Sequence, residues 1–189
     1  MKVSKITTIR NKVRMAKGKI RVICLRLQGM NIGRGTVLGP AGIVWPKNIS
    51  IGEMSTLEDF IDFRISHPFS ENNKIIIGDR VFIGRCSEFN CGTNITIGND
   101  VMIASKCSFF DVSHDTEGVN LYNENTISKP ITVGNNVWIG TGTIILLGVE
   151  IGDNSVIGAG SVIRRSVPPN EIWAGVPAEF IRNCGSKDK

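Results

Sequence analysis

Only two imidazoles, His67 and His114, are available in this chain for acid–base work near neutral pH. His114 lies in Asp111-Val112-Ser113-His114-Asp115-Thr116-Glu117-Gly118, among small, polar and acidic side chains. Those neighbours suit a protruding loop, not a core. With a reference pKa of about 6.5, a loop imidazole gains and loses a proton near neutrality, and an adjacent carboxylate can orient the ring and stabilise its charged form. His67, in Ser66-His67-Pro68-Phe69, reads as a structural residue or at most the rim of a site. Two histidines without a third are a poor set for a catalytic zinc, which commonly takes three protein ligands; no metal is expected. Cys24, Cys86, Cys91, Cys107 and Cys184 are odd in number and form no CxxC pair, which favours reduced thiols in the cytoplasm over a disulfide frame. Cys107 reads as core, and Cys86 and Cys91 have no partner base in sequence. There is no GxSxG elbow and no P-loop.

What must position His114 is a repeat. Eighteen positions fall into six triplets with six-residue spacing inside each: Ile32/Leu38/Val44, Ile51/Leu57/Phe63, Ile77/Ile83/Phe89, Ile97/Ile103/Phe109, Val133/Ile139/Ile145 and Ile151/Ile157/Ile163. Glycine usually follows the first two members, as at Gly78, Gly84, Gly134 and Gly140. A period of six is that of a hexapeptide parallel β-helix. Each hexapeptide forms one flat side of a triangular coil. The key aliphatic points inward, and so does the residue two before it, because side chains alternate along a strand. Those partners, among them Ile75, Val81, Ser87, Cys107, Thr143, Ser155 and Ser161, are small or β-branched. The glycine is expected at a corner, where the chain turns tightly. About six coils at roughly 4.8 Å each make a prism of about 29 Å.

The breaks in the repeat place the loops. One extra residue separates Val44 from Ile51, two separate Phe89 from Ile97, eight Phe63 from Ile77, and eighteen Phe109 from Val133. An insertion must leave a solenoid as a loop on one face, often the binding face. The longest, about Asp111 to Pro130, holds His114. The last two coils carry no insertion and are expected to form a smooth wall. The expected organisation is an all-β solenoid: a basic amphipathic helical segment over 1–29, a β-helix over 30–166 with an inserted loop 111–130, and a tail over 167–189 containing a short helix.

The net charge of +5 hides an asymmetry. Residues 1–52 hold eleven Lys and Arg and no acid, whereas residues 53–189 hold eleven against seventeen Asp and Glu. The basic end overlaps an apolar series at helical spacing: Ile6, Ile9, Val13, Ala16, Ile20, Ile23 and Leu27. Gly18 weakens that helix and Gly29 is placed to end it. One reading packs the apolar side on the open end of the prism, whose terminal coil exposes unpaired backbone. Another lays residues 1–28 on an anionic membrane surface, and a third uses them as a contact between copies. No apolar run approaches the length of a membrane span, and no signal peptide is evident. Without a recognised nucleic-acid fold or interleaved aromatics, nucleic acid is not expected as a partner. The expected location is the cytoplasm, with the inner membrane face as a contact surface.

From about Ile77 to Asn183 the chain resembles the hexapeptide-repeat (left-handed β-helix) acyltransferases, most closely the galactoside and maltose O-acetyltransferase branch. The stretches that carry the resemblance are Ile77-Gly78 with Ile83-Gly84, Phe89-Asn90, Ser113-His114, and Pro130-Ile131-Thr132-Val133-Gly134-Asn135-Asn136-Val137-Trp138-Ile139-Gly140. With them go Gly148 to Ser161, Pro168-Pro169-Asn170 and Ala174-Gly175-Val176-Pro177-Ala178. The first seventy residues look more like members that modify surface polysaccharides.

The resemblance implies a homotrimer of parallel prisms with acetyl-CoA in a groove between neighbours. It assigns His114 as general base on an acceptor hydroxyl, an aid of roughly 10²–10⁴ in rate. The backbone N–H of Thr141 matches the oxyanion donor, Asn90 the acceptor-contacting asparagine, and Trp138 a tryptophan lining the site. Pantetheine, an amide chain, would pair with backbone around Gly158, Ala159 and Gly160. Arg164, Arg165 and Arg182 would meet the nucleotide phosphates. The family commonly has Thr-Lys where this chain has Arg164-Arg165, which keeps charge and removes a hydroxyl. The expected activity is direct transfer of acetyl from acetyl-CoA to a sugar hydroxyl, in surface-polysaccharide biosynthesis, with a saccharide acceptor. The alternatives are N-acylation of an amino sugar, a serine or xenobiotic acetyltransferase on the same scaffold, and a non-catalytic trimeric scaffold.

Overall fold

The six-residue period becomes three sheets in the computed structural model, which describes residues 5–66, 73–115 and 126–185. The first face stacks Asn31–Ile32, Ile49–Ile51, Lys74–Ile77, Asn94–Ile97, Ile131–Val133 and Glu150–Ile151, all parallel. The second stacks Val37–Leu38, Thr56–Leu57, Phe82–Ile83, Met102–Ile103, Trp138–Ile139 and Val156–Ile157. The third stacks Ala41–Ile43, Ile61–Ile65, Glu88–Cys91, Ser108–Phe110, Ile144–Leu146 and Val162–Ile163. This is a three-sided parallel β-helix.

The inward set follows the alternation. All the triplet residues except Val44, and all the partners two residues before them, are buried. Phe63, Phe89 and Phe109 stack down the axis behind the third face, with ring centroids 5.2 and 4.6 Å apart. Buried hydroxyls at inward positions are satisfied by the backbone. Ser87 Oγ donates to the Gly84 carbonyl at 3.0 Å, and Thr143 Oγ1 to that of Gly140 at 2.7 Å. Val44 departs from the expectation: it is 73% exposed, and Ile43 stands opposite Phe63 in its place. The first coil is thus one residue short on its third side, where strand pairing, not the six-residue count, sets the register.

The glycines have a different cause from the one expected. At the corner between the first and second faces, the left-handed backbone belongs to residues two past the glycine, such as Asp100 (φ 59°), Asn136 (φ 54°) and Asn154 (φ 61°). Asn and Asp tolerate that region. Gly98 is needed instead because a Cβ there would lie 2.6 Å from the Gly134 carbonyl oxygen of the next coil. Along the same corner Asn99 Oδ1 accepts from Asp79 N (2.8 Å), Asn135 Oδ1 from Asn99 N (2.9 Å) and Asp153 Oδ1 from Asn135 N (2.6 Å). Each coil's side chain pairs an amide of the coil before it.

Helix α1 (Lys5–Leu27) closes the first end. Its packed side is Gly18, Val22 and Leu25, not the apolar series expected. Arg21 Nη1 donates to the Leu38 carbonyl at 3.0 Å, and Arg26 Nη2 to those of Ile32 (2.7 Å) and Gly33 (3.0 Å), so two guanidinium groups occupy edge carbonyls of the terminal coil. Gly18 allows this approach, since a Cβ there would already touch the Leu38 oxygen at 3.4 Å. Gly29 (φ 94°) follows the helix end as expected.

The other end differs from expectation as well. In place of a short C-terminal helix, Glu171–Gly175 continues the second face and pairs antiparallel with Ala178–Asn183. The cause is local: Ile172, Trp173, Phe180 and Ile181 favour strand, and Val176 before Pro177 is held out of the helical region.

Candidate active site

Every insertion in the repeat leaves from one corner, between the third face and the next strand of the first. His114 sits on the largest. Val112–His114 pairs antiparallel with Thr126–Ser128, placing His114 opposite Thr126 with its side chain exposed. Asn90 lies at the base of this hairpin. It is the last outward residue of its strand on the third face, between Arg64 and Phe110 of the neighbouring coils, and its carbonyl accepts from Asp111 N at 3.3 Å. His67 falls outside the described residues.

Asp111 roots the hairpin, and sequence reasoning assigned it no role. It is fully buried, and its carboxylate accepts from the backbone N–H groups of Gly92 and Thr93 (the latter at 3.0 Å), which belong to the same corner one coil earlier. Burial pushes the Asp111 carboxyl above the usual carboxylate range, and the Gly92 and Thr93 amides pull it back. Beside it the Cys91 thiol is buried and pushed up, first by burial and then by the Asp111 charge, so it is no nucleophile. The signal for Asp111 was available: it stands two residues past inward Phe109, so alternation turns it to the core side. Replacing Asp111 by Ala should lower folding stability by about 2–3 kcal/mol, the cost of leaving buried donors unpaired. Urea unfolding checks this.

Trp138, Thr141 and Ala159 gather at a different corner, between the second and third faces, whereas the three arginines lie toward the C-terminal end of the solenoid. Trp138 lies on the second face, 53% exposed, just before the turn that carries Gly140, Thr141 and Gly142. Ala159 occupies the same turn one coil later, where Gly160 N donates to the Thr141 carbonyl at 2.8 Å. Arg164 is exposed at the end of the third face's last strand. Arg165 lies 5.6 Å over the Trp173 ring, with Nη2 3.8 Å from Glu179. Arg182 is in the terminal strand opposite Ile172, and its Nη1 donates to the Asn183 carbonyl at 3.3 Å.

The chain therefore puts His114 and Asn90 at one corner, and Trp138, Thr141 and Ala159 at another, but does not bring the two groups together. Asn90 lines up through Phe110 with Leu146, and Leu146 follows Thr141 by five residues, a run of roughly 15 Å at strand rise. A base and an oxyanion donor acting on one reacting centre must each come within about 3 Å of it. The two groups stand at opposite edges of the third face. Among the described residues, no three His, Cys, Asp or Glu side chains cluster as a metal set.

A second feature went unread in the sequence. The outward position of the second face repeats as Val37, Thr56, Phe82, Met102, Trp138, Val156 and Ile172, one above the other. Met102 and Trp138 are each 53% exposed. Six of these seven are apolar, whereas the outward row of the first face reads Asn31, Ser50, Ile76, Thr96, Thr132 and Glu150. The second face thus carries an outward apolar row broken only at Thr56, the kind of exposed patch that commonly serves as an interaction surface.

Comparison with known proteins agrees with this geometry. Residues 130–165 match the family described as bacterial transferase hexapeptide (six repeats), and residues 74–105 match the hexapeptide repeat of succinyl-transferase. The galactoside O-acetyltransferase of Escherichia coli K12 is 42% identical over 118 residues, 59% of this chain and 58% of that protein. The match thus spans less than two thirds of that relative. A putative acetyltransferase of Schizosaccharomyces pombe is 32% identical over 147 residues, 77% of this chain and 71% of its own. A putative lipopolysaccharide biosynthesis O-acetyl transferase, WbbJ of E. coli K12, is 33% identical over 109 residues, 51% of this chain and 54% of its own. Among solved structures, a hexapeptide-repeat acetyltransferase of Vibrio cholerae complexed with acetyl coenzyme A has a TM-score of 0.58 at 29% identity, covering 81% of this chain and 73% of that one. AntD, an N-acyltransferase of Bacillus cereus in complex with dTDP and 3-hydroxybutyryl-CoA, shares the fold with a TM-score of 0.75 at 24% identity, covering 85% and 86%.

Proposed function

We propose that this chain, which belongs to the hexapeptide-repeat acyltransferase family, transfers acetyl from acetyl-CoA to a sugar hydroxyl, in the making of a surface polysaccharide. The observation that supports the reading is the placement of two groups that can serve as half-sites: an exposed histidine on the hairpin that rises past Asn90 at one edge of the third face, and the Thr141–Ala159 turn at the other. A homotrimer completes the site, the apolar outer row of each second face being covered by a neighbour so that one chain's hairpin meets the next chain's turn. The reading carries with it a left-handed coil sense and about six coils. It places the chain in the cytoplasm, consistent with five free thiols.

In this site His114 takes the proton from the acceptor hydroxyl, whose oxygen attacks the thioester carbonyl directly. The oxyanion is held by the Thr141 N–H. Collapse expels the CoA thiolate, which takes the proton back from the imidazolium, leaving an ester and free CoA. Asn90 donates to and accepts from the acceptor, Trp138 covers it, and backbone around Ala159 pairs with pantetheine. Arg164, Arg165 and Arg182 meet the nucleotide phosphates, Arg165 leaving the weak exposed contact with Glu179 to do so.

Calorimetric titration with acetyl-CoA tests the reading. Saturable binding near one site per chain is expected. Absence of binding at millimolar ligand by folded, trimeric protein overturns it. Arg164→Ala with Arg165→Ala should weaken CoA more than it weakens dephospho-CoA; equal weakening removes the phosphate role.

A further inference from the structure

Helix α1 has two apolar sides, and the solenoid covers only one. Gly18, Val22 and Leu25 pack on the terminal coil, with Val22 6% and Leu25 8% exposed. On the opposite side Val13, Ala16, Ile20, Ile23 and Leu27 follow one another at three- and four-residue steps, a single line along the helix. Ile20 is 62% exposed and Leu27 84%. The line is flanked by Lys17 and Lys19, both exposed, one on each side. Residues 1–28 contain nine Lys and Arg and no Asp or Glu. Arg21 and Arg26 make the hydrogen bonds to the carbonyls of the terminal coil, and every residue of the outer stripe from Val13 to Leu27 is exposed.

We infer that this stripe is a docking surface for an anionic lipid bilayer. An apolar line with lysines along both edges matches the acyl boundary below the headgroups and the negative headgroups beside it. A second copy of the same helix is a worse partner, because pairing the stripes brings two basic, acid-free segments together. The helix lies on the surface and does not cross it: no described helix is long and apolar enough to span a membrane. Because the stripe faces away from the terminal coil, docking leaves the three faces of the solenoid clear.

The test is flotation of the full-length protein with vesicles of phosphatidylcholine mixed with phosphatidylglycerol. The wild-type chain should float with these vesicles and be released by phosphatidylcholine alone or by high salt. Ile20→Ser with Ile23→Ser, both on the uncovered side, should cut partitioning roughly tenfold or more. Lys17→Ala with Lys19→Ala should cut it roughly 30-fold. Acetyl-CoA titration of both variants should match the wild type, which separates this surface from the transferase site. Partitioning unchanged in the Ile20/Ile23 variant overturns the proposal. So does a lipid-free assembly that the same variant splits into smaller particles, since the stripe would then join copies of this chain.

Discussion

His114→Ala should lower turnover by at least roughly 100-fold, the lower end expected for loss of a general base, while the assembly and its affinity for acetyl-CoA stay at wild-type values. The separation is expected from the structure. His114 is exposed on its hairpin and contributes nothing to the packed core. The hairpin is rooted by Asp111 on Gly92 and Thr93, not by the imidazole. The donor half-site proposed above lies at the far edge of the face, around Thr141 and Ala159. The loss should therefore appear in kcat at saturating acetyl-CoA. A fall in acetyl-CoA affinity with kcat preserved would make His114 a binding residue. Near-normal turnover would remove it from the chemistry altogether.

How much of this was legible in the sequence depends on which forces write a pattern there. The inward rows were, because burial of Ile83, Phe89 or Ile139 on a narrow axis imposes a strict side-chain type at a strict interval. The positions of the loops were too, because an insertion breaks that interval. The direction of α1 was not. Its more regular apolar line, Val13 to Leu27, is the uncovered one, and the packed side is marked only by Gly18, Val22 and Leu25. A glycine that lowers helix propensity is there for closeness to the Leu38 carbonyl, a fact that only the partner surface reveals. The C-terminal strands were missed because their local signals, Ile172, Trp173 and Val176-Pro177, stand outside the six-residue repeat, and the sheet edge that receives them, Val156–Ile157, is distant in sequence. Within the site, His114 and Asn90 stood out as polar residues beside a break. Their separation from Thr141 did not, since nothing in a one-dimensional repeat says which of three corners a turn occupies until the coils are counted around the axis.

That separation yields the most discriminating expectation. If each site takes His114 from one chain and the Thr141–Ala159 turn from its neighbour, two inactive variants should repair one another. Ala159→Glu places a carboxylate on an exposed turn, where it should block pantetheine without touching the core. Alone it should abolish acetyl-CoA binding, as titration will show, and alone His114→Ala should cut turnover at least roughly 100-fold. Co-expressed in equal amounts, they assemble at random around the three-fold ring. A wild-type hairpin then meets a wild-type turn at roughly a quarter of the sites. Activity should return to about that fraction of wild type, well above the hundredfold-reduced level of either variant. A pool that stays at the lower level would mean that both halves must come from one chain. The roughly 15 Å between the two edges of the third face would then have to be closed by a movement of the hairpin across it. Repair and non-repair thus distinguish a site built by assembly from one built by folding.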